Sequence, residues 1–228
     1  MREFSRVFLR SLLLATFLLA CLAVPGQAQV GKLLPSDEAV RDPELFAFRA
    51  RLQAAVARHD TAAVLAMVDP NIKNGFGGDD GVAAFQRSWK LQEGDKSPLW
   101  EELGLVLALG GSFQNKDTFV APYAYSRWPE AIDAFQHVAV LGTDVRVRAE
   151  PRPGSPVLAS LSFDLVRLAN SGRSRLTPEQ AREWTAVELK GGRTGYIASR
   201  YVRSPIARRA FLLRKAGSWR LAVFVAGD

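Results

Sequence analysis

Residues 184–202 read WTAVELKGGRTGYIASRYV, two short runs rich in β-branched and aromatic residues on either side of Gly191-Gly192. Val187 and Leu189 alternate as a strand with one buried face requires. The paired glycines supply a hairpin turn that tolerates positive φ, and Gly195 fits where a strand curves tightly. The texture extends upstream as far as His137. Runs at 138–141, 145–148, 157–161 and 165–168 precede those at 185–189 and 195–197, separated at close intervals by Pro, Gly and Ser. That is the pattern of a small all-β unit. A polar insertion at 171–183 interrupts it, and Thr177-Pro178-Glu179-Gln180 within it starts a single helical turn.

The matching pieces of this region stand in a definite order. They are Val145-Arg146-Val147-Arg148, Pro151, Ser155-Pro156-Val157, Leu161, Trp184-Thr185-Ala186-Val187, and lastly Gly195-Tyr196-Ile197 with Ser199-Arg200-Tyr201-Val202. In that order, residues 140–203 resemble the bacterial Src homology 3 (SH3) family of exported and cell-wall proteins, whose closing pattern is G-Y-V…S-x-Y-L. The resemblance implies a small SH3-like β-barrel over 137–203. It further implies a binding or docking module whose partner is a cell-wall peptide, peptidoglycan or an envelope protein. Trp184, Tyr196, Arg200 and Tyr201 are the candidate groove residues, with barrel core as the competing role for the aromatics. Arg146 and Glu150 stand where the family often has Asn and Gly, and the 171–183 loop is longer than usual. Those departures fall in the loops expected to line a ligand groove. The acidic and aromatic signature of proline-peptide recognition is absent, so PxxP binding is not expected.

Downstream, residues 206–228 read as a hairpin in which 210–214 and 219–225 flank Lys215-Ala216-Gly217-Ser218. A two-stranded hairpin alone is marginal in water, so this one needs a sheet to join. Upstream, residues 29–136 are α-rich after a polar lead-in (29–42) expected to be disordered at its start. Leu45, Phe48, Leu52, Ala55 and Val56 form one helical stripe. Asp42 is its N-cap and Pro43 its first turn. The helix is predicted to stop near His59-Asp60, with Asp60 or Thr61 capping a second one over 62–68. Further helices are predicted at 82–89 and 99–109, the latter with Ser97 as cap and Gly110-Gly111 at its end. Strand candidates lie at 72–76 and 119–125, with Pro122 marking an edge or a bend.

The predicted fold is therefore α+β. An α-rich domain (29–136) is completed by the C-terminal hairpin (204–228), and the all-β unit (137–203) is inserted between them. The early helices and a final strand ending Gly217-Ser218-Trp219…Phe224…Gly227-Asp228 are similar to cone-shaped α+β folds of the nuclear-transport-factor-2 type. That likeness is one of fold and carries no function.

The first twenty-eight residues are expected to be a signal peptide. Arg2, Arg6 and Arg10 precede an uncharged run at 11–24, and Ala28 and Gln29 flank the predicted cleavage site. The run is short of the roughly 20 apolar residues a membrane span needs, so no span is expected after cleavage. Leu18-Leu19-Ala20-Cys21 also resembles a lipobox, and the alternative is a lipoprotein anchored through Cys21. The first reading makes the protein exported and periplasmic, and it removes the only cysteine.

The chain carries 30 basic and 23 acidic residues, net +7. The charge is spread out, which suits solubility or attraction to an anionic envelope surface. Nucleic acid is not an expected partner, because export removes it and no basic–aromatic motif occurs. His59 and His137 lack companions at metal-ligand spacing, and a catalytic zinc needs about three protein ligands. Residues 69–81 (DPNIKNGFGGDDG) superficially resemble a calcium loop, but Lys73 stands where a ligand is wanted and no Glu closes the frame. Glu101-Glu102 and Asp79-Asp80 are adjacent pairs that do not face one another as a glycosidase requires. No G-x-S-x-G elbow occurs. The expectation is a non-enzymatic protein without cofactor or metal, the alternatives being a structural or assembly protein with no free ligand and an enzyme in the N-terminal domain.

Overall fold

In the computed structural model, which describes residues 31–169 and 176–227, helix α1 (Pro43–Ala57) begins where its cap signature lies. The Asp42 carboxylate accepts the Leu45 N–H at 2.9 Å, filling one of the orphan donors of the first turn. Its predicted stripe is buried. Asp60 repeats the device for α2 (Thr61–Met67), accepting the Ala63 N–H at 3.0 Å. The expected signal peptide, with Cys21 and the predicted Ala28–Gln29 cleavage site, lies outside the described residues, as does the start of the 171–183 insertion.

Strand β1 (Val68–Lys73) departs from expectation: it starts at the residue predicted to end α2 and contains Pro70. It is an edge strand, where a missing N–H is tolerated. Burial of Val68 and Ile72 fixes its register. Helices α3 (Val82–Ser88) and α4 (Leu99–Ala108) follow. Before α4, the Ser97 hydroxyl accepts the Leu99 N–H at 3.2 Å and donates to the Trp89 carbonyl at 2.5 Å. After it, a Cβ on Gly111 would lie 2.1 Å from the Val120 carbonyl oxygen, so only glycine passes there.

Next come β2 (Ser112–Asn115), β3 (Thr118–Ala121) and α5 (Tyr123–Ser126). The predicted strand at 119–125 stops at Ala121, the last residue of its ladder, paired with Ala210, and Pro122 leads into a helical turn. Pro122 thus ends an interior strand rather than sitting in an edge strand. Then follow β4 (His137–Val140), β5 (Val145–Arg148), β6 (Val157–Leu161), β7 (Leu165–Leu168), α6 (Pro178–Glu183), β8 (Trp184–Glu188), β9 (Thr194–Ala198) and β10 (Val202–Arg203). The chain closes with β11 (Arg209–Lys215) and β12 (Ser218–Val225).

The architecture is α+β with two sheets. The first has the order β1-β12-β11-β3-β2, so the C-terminal hairpin supplies its two innermost pairings. β11 runs antiparallel to β3, and β12 runs parallel to β1. Helices α1 and α4 pack their apolar faces on this sheet in one core with Trp89, Leu212, Trp219, Leu221 and Phe224. The second has the order β10-β4-β7-β8-β9-β5-β6 and falls in sequence between β3 and β11. Val138, Val140, Val145, Val147, Val166, Val187 and Ile197 fill its core. A closed barrel was expected, and the hydrogen bonding is open. β10 is two residues long and pairs with β4, while β6 pairs with β5, leaving both as edges.

Of the lead-in, the start at residues 29 and 30 lies outside the described residues. From residue 31 onward it is a strap laid across both sheets. Leu33 donates its N–H to the Phe163 carbonyl at 2.8 Å, and Leu165 donates to the Gly31 carbonyl at 3.0 Å. Leu33 is buried with Tyr123, Ala124, Ala139 and Leu165. Further along, Glu38 donates its N–H to Gly111 (2.9 Å) and accepts the Phe113 N–H (3.0 Å).

Candidate functional site

Alternation along β8 and β9 sends Val187 and Ile197 inward and leaves Trp184, Ala186, Tyr196 and Ala198 on the opposite, outer face. Ala169, just before the insertion, and Leu176, within it, pack against that face. The register pairs Trp184 with Ala198 and Tyr196 with both Ala186 and Arg148. Counting two residues back along β5 puts Arg146 level with Ala198. Arg146 and Trp184 therefore flank the small Ala198 from strands about 10 Å apart.

Three further elements raise walls around this row. The turn after β9 brings Arg200 and Tyr201, with the Arg200 guanidinium 4.7 Å from the Tyr201 ring centroid. A 3.0 Å hydroxyl contact between Thr185 and Ser199 ties that turn to β8. Helix α6 brings Arg182 and Glu183. Its start is a capping box, in which the Thr177 hydroxyl accepts the Gln180 N–H and the Gln180 side chain accepts the Thr177 N–H. The β4–β5 loop brings Asp144. The result is a cleft of about 740 Å³ lined by Arg146, Arg148, Arg182, Trp184, Arg200 and Tyr201, with Asp144 and Glu183 also on its rim. Four guanidiniums face two carboxylates. Arg148 is already engaged, donating to the Ser155 carbonyl at 2.7 Å.

Three of the four residues nominated from sequence meet in this cleft. Tyr196 does not line it: that ring is buried in the outer-face cluster with Trp184 and Ala186. Arg146, Arg148 and Arg182 were not nominated. Period-2 counting from the core valines Val145 and Val147 puts Arg146 and Arg148 on the outer face, whereas nothing local announces Arg182.

The remaining candidates are held in structural contacts. His59 stacks on Trp100 (centroids 5.2 Å apart, planes 13° apart) with Nδ1 at 3.1 Å from the Asp95 carboxylate. His137 Nδ1 lies 2.9 Å from the Asp133 carbonyl oxygen. In the 69–81 loop, the Asp80 carboxylate accepts the Asn74 N–H and pairs with Lys73, both at 3.1 Å. Those contacts, the Asn74 N–H foremost, hold its carboxyl below the usual range. Glu102 pairs with Arg203 at 2.7 Å. Among the described residues, no three His, Cys, Asp or Glu side chains group to hold a metal, and no helix is long and apolar enough to cross a membrane.

Fold and site together define an α+β protein of two sheets, the second presenting an arginine- and aromatic-lined cleft. Comparison of the chain with protein-family models, curated proteins and solved structures finds no match.

Proposed function

We propose that the chain is a non-enzymatic envelope protein, exported to the periplasm, whose residues 137–203 serve as a bacterial SH3-type module for binding or docking. Its partner on this reading is cell-wall peptide or an envelope protein. The observation that carries the reading is the convergence of Trp184, Arg200 and Tyr201 on one open cleft. Two flat aromatic surfaces and a set of guanidiniums give such a cleft apolar contact and directed hydrogen bonds at once. Lipid anchoring through Cys21 is the alternative to signal cleavage at Ala28, and the intact mass of the exported protein separates them.

Retention on purified peptidoglycan sacculi is the direct test. Wild-type protein should be retained, and the exposed-site variant R200A/Y201A should bind about tenfold more weakly, the loss of about 1.4 kcal/mol of contact. No retention of the wild type would remove the cell wall as partner. A structural role without free ligand is the second reading. It is favoured by the Arg203–Glu102 pair, which pins the second sheet to a helix packed on the first. A discrete oligomer by sedimentation velocity, unchanged in R200A/Y201A, would support that reading.

A further inference from the structure

We propose that the cleft on the outer face of the second sheet takes an acidic peptide. This rests on the binding reading above and adds the chemistry of the ligand. Of the four arginines lining the cleft, two are already engaged: Arg148 by the Ser155 carbonyl and Arg200 by the Tyr201 ring. Arg146 and Arg182 are exposed, and neither has a hydrogen-bond or ion-pair partner among the described residues. A free guanidinium presents a planar fork of donors that matches a carboxylate. The small Ala198 between Arg146 and Trp184 lets an extended backbone lie on the sheet, its side chains meeting a cation on one side and an indole on the other. The exposed Tyr201 ring, with the edge of the largely buried Trp184, offers apolar area that a bare inorganic anion cannot use. Asp144 and Glu183 on the same rim repel a continuous polyanion, and they accept N–H groups from a chain whose carboxylates are spaced apart. Both features select a peptide over a nucleic acid or polyphosphate. Because the cleft is open to water, the attraction is screened and affinity falls with salt.

Calorimetric titration of the full mature protein tests this. The probes are a short blocked peptide alternating Glu and Ala, the same peptide with Gln for Glu, and inorganic polyphosphate. The Glu peptide should bind about tenfold tighter than the Gln peptide at low salt, and R146Q/R182Q should erase that difference. Both positions are exposed, so the variant should melt at the wild-type temperature. Equal binding of the two peptides, tighter binding of polyphosphate, or an unaltered double variant would overturn the proposal. Sacculi retention distinguishes the two readings. Retention that survives in R146Q/R182Q, without preference for Glu, overturns the acidic ligand and leaves wall binding standing. Glu-peptide binding without sacculi retention does the reverse.

Discussion

Asp37 illustrates how much a single carboxylate can hold in this fold. Its two oxygens take both terminal nitrogens of Arg49, at 2.6 and 2.5 Å. That guanidinium is almost wholly buried, with its Nε lacking a partner among the described residues. Burial pushes the Asp37 carboxyl up, but the hydrogen bonds from Arg49 and the Ala39 N–H, with the Arg49 charge, outweigh it and leave it below its usual value. A depressed folded-state pKa contributes stability above the unfolded pKa and loses it as pH falls through the folded value. The Asp69 carboxyl, lowered on balance by Lys215 and the Asn71 N–H against burial, adds a loss of the same sign. Melting temperature should therefore drop below about pH 4. Asp37→Asn should be destabilised by about 2 kcal/mol at neutral pH, between an exposed pair and a buried one, and should lose less than wild type on acidification. Thermal melts of both proteins across that range check it; parallel curves would remove Asp37 from the account. Asp42 and Asp60 were legible as caps because a cap acts within three residues of its own position. Asp37 was not, because its partner lies a full helix face away on α1.

At the scale of elements, local signals worked where the element answers to its own sequence. The strand runs of the second sheet sit within a residue or so of expectation, since alternation and flanking Gly and Pro set them. Strand β1 was misplaced, and β3 proved shorter than its apolar run. Both are decided by pairing with β12 and β11, about ninety residues on or more. The cleft followed the same rule. Trp184, Arg200 and Tyr201 lie on or beside the legible hairpin, while Arg182 arrives on a helix placed by the fold of the insertion. The same long-range dependence makes the hairpin decisive for the first sheet. Phe224 is fully buried and stacks on Trp89 with centroids 5.0 Å apart. Phe224→Ala should destabilise by about 3–5 kcal/mol, the range for truncating a core aromatic. Urea unfolding followed by helix ellipticity reads it directly; a change under about 1 kcal/mol would mean that the hairpin contributes little to the core.

Over the whole molecule, the pairing of the C-terminal hairpin with strands of the N-terminal region was legible because the hairpin could not stand alone. What the sequence did not announce is how the two sheets are joined. The strap has no periodicity to read; its residues are ordered by what they touch. Leu33 fills a pocket made by Tyr123 and Ala124 on one side and Ala139 and Leu165 on the other. Lys32 reaches the largely buried Asp164 at 3.3 Å. At the far end of the second sheet, Arg203 on β10 pairs with Glu102 on α4 and donates to the Arg208 carbonyl. Contacts at both crossings of the chain mean that neither sheet can unfold without exposing apolar surface on the other, which is the condition for one cooperative transition. Wild-type protein should then unfold with coincident curves by helix ellipticity, which reports the first sheet's helices, and by amide exchange in the strands of the second sheet. Leu33→Asp places a charge in the shared pocket, which must hydrate it by opening. The strap should detach, and the two probes should separate while each sheet keeps its own core. If the probes remain coincident in that variant and the midpoint does not move, the strap is a passive covering, and the coupling lies with Arg203 and Glu102 alone.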